Sequence, residues 1–474
     1  MYTRLPYRFG ITTLTALPHV FLRLTLEVNG RRQAALASEG LVPKWFTKDP
    51  DGDIGDEALD MISVIRAACQ HAHRLGEAES AFDLWLSVYE AQAAWAADKP
   101  HPPLLSNLGV ALVERAVIDG VCKAGQTSFA SALRGGALGI ELGRVHSALE
   151  GSDPADWLPD KASRSIVVRH TVGLTDPLVD SDIEEQDRLA DGLPQSLEEC
   201  IHTYGLTHFK IKLPASPDEA VDRLRGIAQV LGRNCEDFWF TIDGNECSHT
   251  IEQFRETWQA ITEDPTLGSF IERGLLFVEQ PLHRDAALSD STGETLKGWS
   301  DRPSIIIDES DSEIGAVVRA LDCGYTGTSH KNCKGVFKGV ANACLLGKLR
   351  QESPGAVYAF SGEDLTNVGP VALQQDLAVM ANLGLGHVER NGHHYLAGLS
   401  AFSLETQEAA LRTHGDLYRW NDSGEKGFAT LAIESGEIRL GSVVGAPFGC
   451  GVEVDTGAFT PVDQWTPESL FGEA

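Results

Sequence analysis

The sequence has few cysteines and lacks long apolar runs. Its nine cysteines among 474 residues form no Cys-x-x-Cys pair, which argues against a disulfide framework or a four-cysteine zinc site and favours a reducing compartment. No stretch reaches the roughly 18 consecutive apolar residues of a membrane-spanning helix. The polar opening MYTRLPYRFG is unlike a signal peptide. We therefore expect a soluble cytoplasmic protein without a membrane partner.

Basic residues are scarce as well. The 39 Lys and Arg residues stand against 68 Asp and Glu, which gives a net charge of −29. Such a surface repels nucleic acid, so a nucleic-acid partner is not expected. The hydrophobic fraction of 42% suffices for a large core and excludes the disordered classes. At about 150 residues per domain, the length predicts three units, or one large barrel with an accessory domain.

Residues 1–150 are predicted to form an α+β domain. The alternating stretch Val20–Val28 is followed by Asn29-Gly30 and a second strand-like run, which is typical of a β-hairpin. From Glu57 to about Arg134 apolar residues recur at helical spacing. The segment 151–162 is rich in Asp, Pro and Gly and predicts a linker.

Residues 165–400 are predicted to form a β/α barrel. Short β-branched runs alternate with helical stretches, which indicates a parallel sheet flanked by helices, and their number suits a TIM-type barrel. An open, doubly wound sheet is the alternative, but no glycine fingerprint follows the first run. The predicted strands are Ser165–Arg169, His208–Leu213, Phe238–Asp243, Leu275–Glu279, Ser304–Asp308, a run near Gly327 and Ala356–Phe360.

Residues 401–474 are predicted to return to the N-terminal domain. The pattern from Ala429 to Leu440 is typical of another hairpin. This segment is therefore not expected to form an independent domain.

Three of the predicted strands end in a carboxylate: Asp243, Glu279 and Asp308. The C-terminal strand ends of a β/α barrel surround its active site, so these side chains are expected to converge. Desolvated acids repel one another unless a cation lies among them, and separate carboxylates with room for water suit Mg²⁺. The alternative is that each acid caps the helix that follows it.

Lysines flank this acidic group on both sides. Lys210 and Lys212 lie two residues apart on one strand and therefore face the barrel interior together. Burial and a neighbouring ammonium lower the pKa of a lysine, which would make one of them a general base. Lys331 and Lys334 follow the sixth strand. The order places a base on either side of a metal-bound carboxylate substrate, whose enediolate the metal would stabilise. A solvated surface lysine is the alternative.

At these motifs the sequence resembles the enolase superfamily, in its mandelate racemase and muconate lactonizing enzyme branch with paired lysines. FKIK is similar to the family's K-x-K, TIDGNE to its D-x-N, VEQP to its E-x-P and DES to its third metal motif. The resemblance implies a modified TIM barrel with an α+β capping domain and Mg²⁺ as cofactor. It also implies metal ligation by Asp243, Glu279 and Asp308, opposed bases at Lys212 and Lys331, Lys210 as electrostatic partner, and Asn245 supporting the first ligand.

Other residues are weaker candidates. Lys334 is a rival of Lys331 as second base, and His330 and Glu309 lie beside these motifs. Glu363 follows the seventh strand and is a candidate for substrate binding, with capping of the following helix as the alternative. Trp45 and Phe46 lie in the loop that covers the barrel mouth in the resembling family, where their combination with Lys44 and Lys48 suggests a substrate with a flat or anionic distal part. Burial of the aromatic rings within the cap is the alternative. A polar loop near the eighth strand contains His387, His393 and His394.

The sequence therefore predicts an isomerase or lyase that removes the α-proton of a small carboxylate with the aid of Mg²⁺. Racemisation or epimerisation, cycloisomerisation and dehydration by β-elimination all remain open. The alternatives are a Schiff-base lyase on a similar barrel and a non-catalytic homologue that keeps the metal site. By the same resemblance we expect a homo-oligomer.

Overall fold

The computed structural model describes residues 1–424 and 427–470, so parts of the predicted C-terminal segment lie outside the described residues. The strands are β1 Tyr2–Phe9, β2 Thr12–Ala16, β3 His19–Val28, β4 Arg31–Gly40, β5 Ser165–Val172, β6 His208–Lys212, β7 Trp239–Asp243, β8 Leu275–Glu279, β9 Ile305–Ile307, β10 Gly327–His330, β11 Ala359–Gly362, β12 His387–Arg390, β13 Tyr418–Asn421, β14 Phe428–Leu431 and β15 Glu437–Arg439.

The helices surround the barrel and build the cap. They are α1 Ile54–Leu75, α2 Ala81–Ala96, α3 Pro103–Gly125, α4 Phe129–Arg134, α5 Leu197–Tyr204, α6 Pro217–Asn234, α7 Ile251–Glu263, α8 Leu267–Gly274, α9 Arg284–Ala287, α10 Asp290–Gly298, α11 Ala316–Cys323, α12 Val336–Glu352, α13 Ala372–Met380, α14 Gly392–Tyr395, α15 Leu404–Thr413 and α16 Gly441–Gly445. None of the helices in the described part of the chain is both long and apolar enough to cross a bilayer.

Strands β5 to β12 form a closed barrel of eight parallel strands. Each pairs with the next in chain order, and β12 pairs with β5 to close the ring. Closure confirms the predicted barrel and excludes the open, doubly wound sheet. Strand β12, with the sequence HVER, was the one barrel strand not among the predicted runs.

The N-terminal strands and helices α1 to α3 form the α+β cap. Strands β3 and β4 pair in continuous register around Asn29 and Gly30, which both have positive φ, as a two-residue hairpin turn requires. Helix α3 packs on β4, where the buried Arg115 donates to Glu39 Oε2 at 2.7 Å. The predicted hairpin and the predicted helical region are confirmed.

The C-terminal segment differs from the prediction. The strands at 428–431 and 437–439 do not pair with each other as a hairpin: β14 pairs with β13, and β15 runs antiparallel to β5. The reason is that part of one edge of β5 is free. On that edge β6 pairs only with residues 169–172, so residues 165–167 are available and pair with β15. Farther on, the Phe459 ring lies 4.7 Å from that of Phe21 in the cap.

Candidate active site

The three predicted carboxylates lie together at the C-terminal end of the barrel. Asp243 and Glu279 are the last residues of β7 and β8 and are direct partners in the strand register. Asp308 directly follows β9, the next strand. All three are at most 1% exposed. The sequence therefore located this acidic cluster correctly.

Lys210 lies at the centre of the acidic cluster. Its Nζ is 3.0 Å from Asp243 Oδ2 and 2.9 Å from Glu279 Oε2. Two further carboxylates, Glu363 and Glu389, contact the same ammonium at 2.7 and 3.1 Å. One positive charge thus holds four buried acids.

Lys212 and Lys331 contact the cluster from opposite sides. Lys212 ends β6 and donates to Asp243 Oδ2 at 2.7 Å, whereas Lys331 directly follows β10 and forms an ion pair with Asp308. Its Nζ also lies 3.9 Å from Glu279 Oε1. Because β6 and β10 are four strands apart in a ring of eight, the two amines face each other across the barrel.

The charge state of these lysines differs from the expectation. Burial and Lys210 lower the pKa of Lys212, but Asp243, Tyr7 and Glu389 together outweigh them and raise it above its ordinary value. In the same way, Asp308 raises the pKa of Lys331 against the effect of burial. The prediction considered the neighbouring lysine but not the carboxylates, and these decide whether the pKa rises or falls.

A small cavity opens above the cluster. Aromatic side chains of the cap line its upper part, and the Lys331 ammonium lies 4.9 Å from the centre of the Trp45 ring. Arg284 holds the cap loop that contains Trp45 against the barrel. It donates to the Trp45 carbonyl at 2.9 Å and pairs with Glu246 at 2.7 Å. The lining includes Tyr7, Phe9, Trp45, Lys210, Lys212, Asp243, Asn245, Lys331, Asp364, Glu389 and Asn391.

The acidic cluster suits a divalent cation. Ammonium groups lie between its members, Lys210 between Asp243 and Glu279, and Lys331 between Glu279 and Asp308. The carboxylates therefore already require positive charge at the place where they converge. An all-oxygen donor set on three separate strands is the kind that Mg²⁺ prefers.

The fold of this chain is similar to that of several solved structures. No family model and no curated protein matches the sequence. A muconate lactonizing enzyme from Pseudomonas fluorescens, solved with muconolactone, superposes with a TM-score of 0.56 over 96% of this chain and 94% of its own, at 14% identity. The dipeptide epimerase of Enterococcus faecalis V583 gives 0.54 over 92% and 99%, at 11% identity.

A mandelate racemase/muconate lactonizing protein from Herpetosiphon aurantiacus gives a TM-score of 0.54 over 96% of both chains, at 13% identity. The chain has the mandelate racemase/muconate lactonizing enzyme fold. This confirms the resemblance at the level of the fold.

Within this mandelate racemase-type barrel, the two candidate second bases occupy different places. Lys331 lines the cavity. The Lys334 ammonium donates to the carbonyl and Oδ1 of Asp308 at 3.2 and 3.1 Å. It also donates to the Ser329 carbonyl at 2.7 Å. Of the two, Lys331 therefore faces the cavity, and Lys334 contacts Asp308 and β10 instead.

The cap loop contributes one of its two predicted aromatic residues to the cavity. Trp45 lines it, whereas the Phe46 ring is fully buried and packs edge-on against Trp45 at 4.8 Å. The two neighbouring lysines bind other groups of the protein. Lys44 pairs with Glu57 at 2.8 Å, and Lys48 donates to the Asn245 carbonyl at 2.5 Å.

Three other candidates do not reach the cavity. Glu363 lies in the barrel below Lys210 and pairs with Arg169. His330 faces α12 and contacts Asn332 Oδ1 at 3.0 Å. Glu309 is buried, and burial together with Asp308 and Glu246 raises its pKa to about 7. Asn245 does line the cavity, and its backbone N–H donates to Asp243 Oδ1 at 2.8 Å.

Sequence reasoning missed Glu389 and Tyr7. Glu389 lies on β12, contacts Lys210 and accepts from the Thr171 hydroxyl at 2.6 Å. A barrel needs eight strands and the sequence shows seven apolar runs, so the count signals an eighth strand without locating it. Tyr7 belongs to a cap strand, and no local pattern signals that this strand reaches the barrel mouth.

Proposed function

We propose that this protein is an enzyme that removes the α-proton of a small carboxylate substrate with the aid of Mg²⁺ and returns a proton to the same carbon. One observation carries the proposal: the amines of Lys212 and Lys331 flank a triad of carboxylates from opposite sides of the barrel. Opposed bases can reach both faces of one carbon, so racemisation or epimerisation is the reaction that this arrangement favours.

Asp243, Glu279 and Asp308 would hold the metal ion. When bound, Mg²⁺ supplies positive charge that stabilises the negative charge of the deprotonated substrate. The same charge would weaken the ion pairs of Lys212 and Lys331 with these carboxylates and lower the pKa of both amines. An amine that is neutral at its Nζ can then accept a proton.

The remaining residues would prepare the site for this transfer. Lys212 takes the proton from one face, and Lys331 donates from the other. Lys210 holds Glu363 and Glu389 in place beneath the substrate. Tyr7, Phe9 and Trp45 line the cavity on the cap side and exclude water from the exchanging proton. The small size of the cavity favours a compact acid.

Proton exchange in deuterated water tests the proposal. The whole protein would be incubated with Mg²⁺ and a library of α-substituted carboxylates, including sugar acids, dipeptides and N-acyl amino acids, and mass spectrometry would follow deuterium uptake. We expect metal-dependent exchange that Lys212→Ala and Lys331→Ala each impair, while the exposed Lys297→Ala leaves it unchanged. Exchange that survives both active-site substitutions would refute the assigned bases.

The same incubations separate the related reactions and the rival mechanism. Uptake with inversion supports epimerisation, loss of water supports dehydration, and ring formation supports cycloisomerisation. A Schiff-base lyase would instead give a covalent adduct on Lys212 or Lys331 after borohydride reduction. Metal binding without exchange by any library member would favour the non-catalytic homologue.

A further inference from the structure

Four side chains with metal-binding atoms are buried together behind the wall of the barrel. His170 lies on β5, Cys200 on α5, and His393 and His394 on α14, just after β12. The neighbours of His170 on β5, Arg169 and Thr171, contact Glu363 and Glu389 inside the barrel. Because strand side chains alternate, His170 points to the opposite face, toward the helices.

The donor atoms of this group lie close to one another. One ligand atom each from His170, Cys200 and His394 lies within 4.8 Å of the other two, and Cys200 Sγ is 3.7 Å from His394 Nδ1. The fourth side chain, His393, places its Nε2 at 3.1 Å from His170 Nδ1. All four are buried, and Nδ1 of His393 has no hydrogen-bond partner within the described residues.

The chemistry of these donors differs from that of the acidic cluster. Thiolate sulfur and imidazole nitrogen are the ligands of zinc in proteins, whereas Mg²⁺ prefers oxygen. Burial lowers the pKa of His170, His393 and His394, so their rings are neutral and each has a nitrogen lone pair to offer. Zinc would bind the thiolate of Cys200 and release the thiol proton to solvent.

We propose that His170, Cys200 and His394 bind a zinc ion, with His393 lying against His170 at the edge of the site. The proposal is independent of the proposed function, since none of these four side chains lines the cavity above the acidic cluster.

The location gives the ion a mechanical role. Strands β5 and β12 are the pair that closes the barrel, and the proposed ligands come from β5 and from the turn after β12. Helix α5 adds the cysteine, and Arg4 of the cap strand β1 donates to the His394 carbonyl at 2.9 Å. Zinc at this place would therefore link β5, α5 and the turn after β12, where the barrel closes, and stabilise the folded state.

Cobalt(II) substitution tests the site. Whole protein stripped of metal with a chelator would be titrated with Co²⁺ in the presence of excess Mg²⁺ to occupy the acidic cluster. We expect one equivalent of Co²⁺ to give a near-ultraviolet thiolate charge-transfer band and the intense visible bands of tetrahedral cobalt, and Zn²⁺ to displace both. Cys200→Ser should lose the charge-transfer band.

Cys247→Ser is the matched control, because Cys247 Sγ lies 4.0 Å from the Asn245 carbonyl beside the acidic cluster and this variant should keep the full spectrum. Zn²⁺ should also raise the melting temperature of the parent protein by several degrees and that of Cys200→Ser by less. A spectrum without a thiolate band, or a band that persists in Cys200→Ser, would overturn the proposal. So would a parent protein whose melting temperature Zn²⁺ leaves unchanged.

Discussion

The ammonium of Lys212 lies 2.7 Å from Oδ2 of Asp243. A candidate base and a candidate metal ligand are thus joined in one buried ion pair. A divalent cation that binds Asp243 must therefore compete with this lysine, and removing the lysine should relieve the competition.

We expect Lys212→Met to bind Mg²⁺ at least about 10-fold more tightly than the parent protein, a change of about 1.4 kcal/mol or more, while proton exchange is lost. Isothermal titration calorimetry measures the affinity. Asp243→Asn should act in the opposite direction and weaken binding. Equal affinities in Lys212→Met and the parent would show that the lysine and the metal do not share this carboxylate.

Substitutions of Lys331 and Lys334 should have different effects on racemisation. Lys331→Ala leaves Lys212 as the single base, so we expect exchange with one enantiomer of a chiral substrate and no racemisation, as followed by deuterium uptake from each pure enantiomer. Lys334→Met removes the support of Asp308 but keeps both bases. It should still racemise a chiral substrate at saturating metal. The reverse pattern would make Lys334 the base.

The ion pairs of Glu363 should contribute strongly to stability. Glu363 is fully buried and pairs with Arg169 and Lys210. Lys210 keeps three other carboxylates, but Glu363→Ala removes the ion-pair partner of the buried Arg169. We expect a loss of about 3–5 kcal/mol in the free energy of unfolding, measured by urea denaturation. The exposed Glu352, paired with Lys348 one helical turn away, is the control, and its replacement by Ala should cost about 0.5 kcal/mol or less. Similar losses in the two variants would contradict this role.

Acid should destabilise the protein through buried neutral histidines such as His330. Burial lowers the pKa of His330 from 6.5 to about 3. Between these values the unfolded chain holds a proton that the folded protein does not, so the free energy of unfolding falls as the pH falls. Each such histidine contributes about 1.4 kcal/mol per pH unit.

We therefore expect His330→Gln to reduce this slope by about 1.4 kcal/mol per pH unit between about pH 6 and 4, in denaturation curves recorded at several pH values. The exposed His249 supplies a matched Gln variant, which should keep the parent slope. An unchanged slope in His330→Gln would mean that His330 is protonated in the folded protein.

The acidic cluster could be predicted from the sequence because its information is local. Asp243, Glu279 and Asp308 each end an apolar run, and the parallel order of such runs fixes the edge at which they meet. Glu389 could not be found in the same way, since HVER contains a single apolar residue. Its strand exists because β11 and β5 both pair with it, which is tertiary information.

Two other errors have the same origin. Pairing of β15 with β5 depends on the part of β5 that β6 leaves uncovered, which the pattern of 429–440 alone does not contain. The sign of the pKa shift at Lys212 depends on Asp243, which is 31 residues away in sequence but 2.7 Å away in space.

Strand β5 also has a consequence for the nascent chain. Its neighbour β6 is made soon after it, but the partners of its other edge and of its first residues are β12 and β15, which leave the ribosome much later. At about 5–20 residues per second, residues 165–172 wait roughly 10–40 s for β12. Over that interval the strand has an unpaired edge, which a chaperone or a second nascent chain can reach.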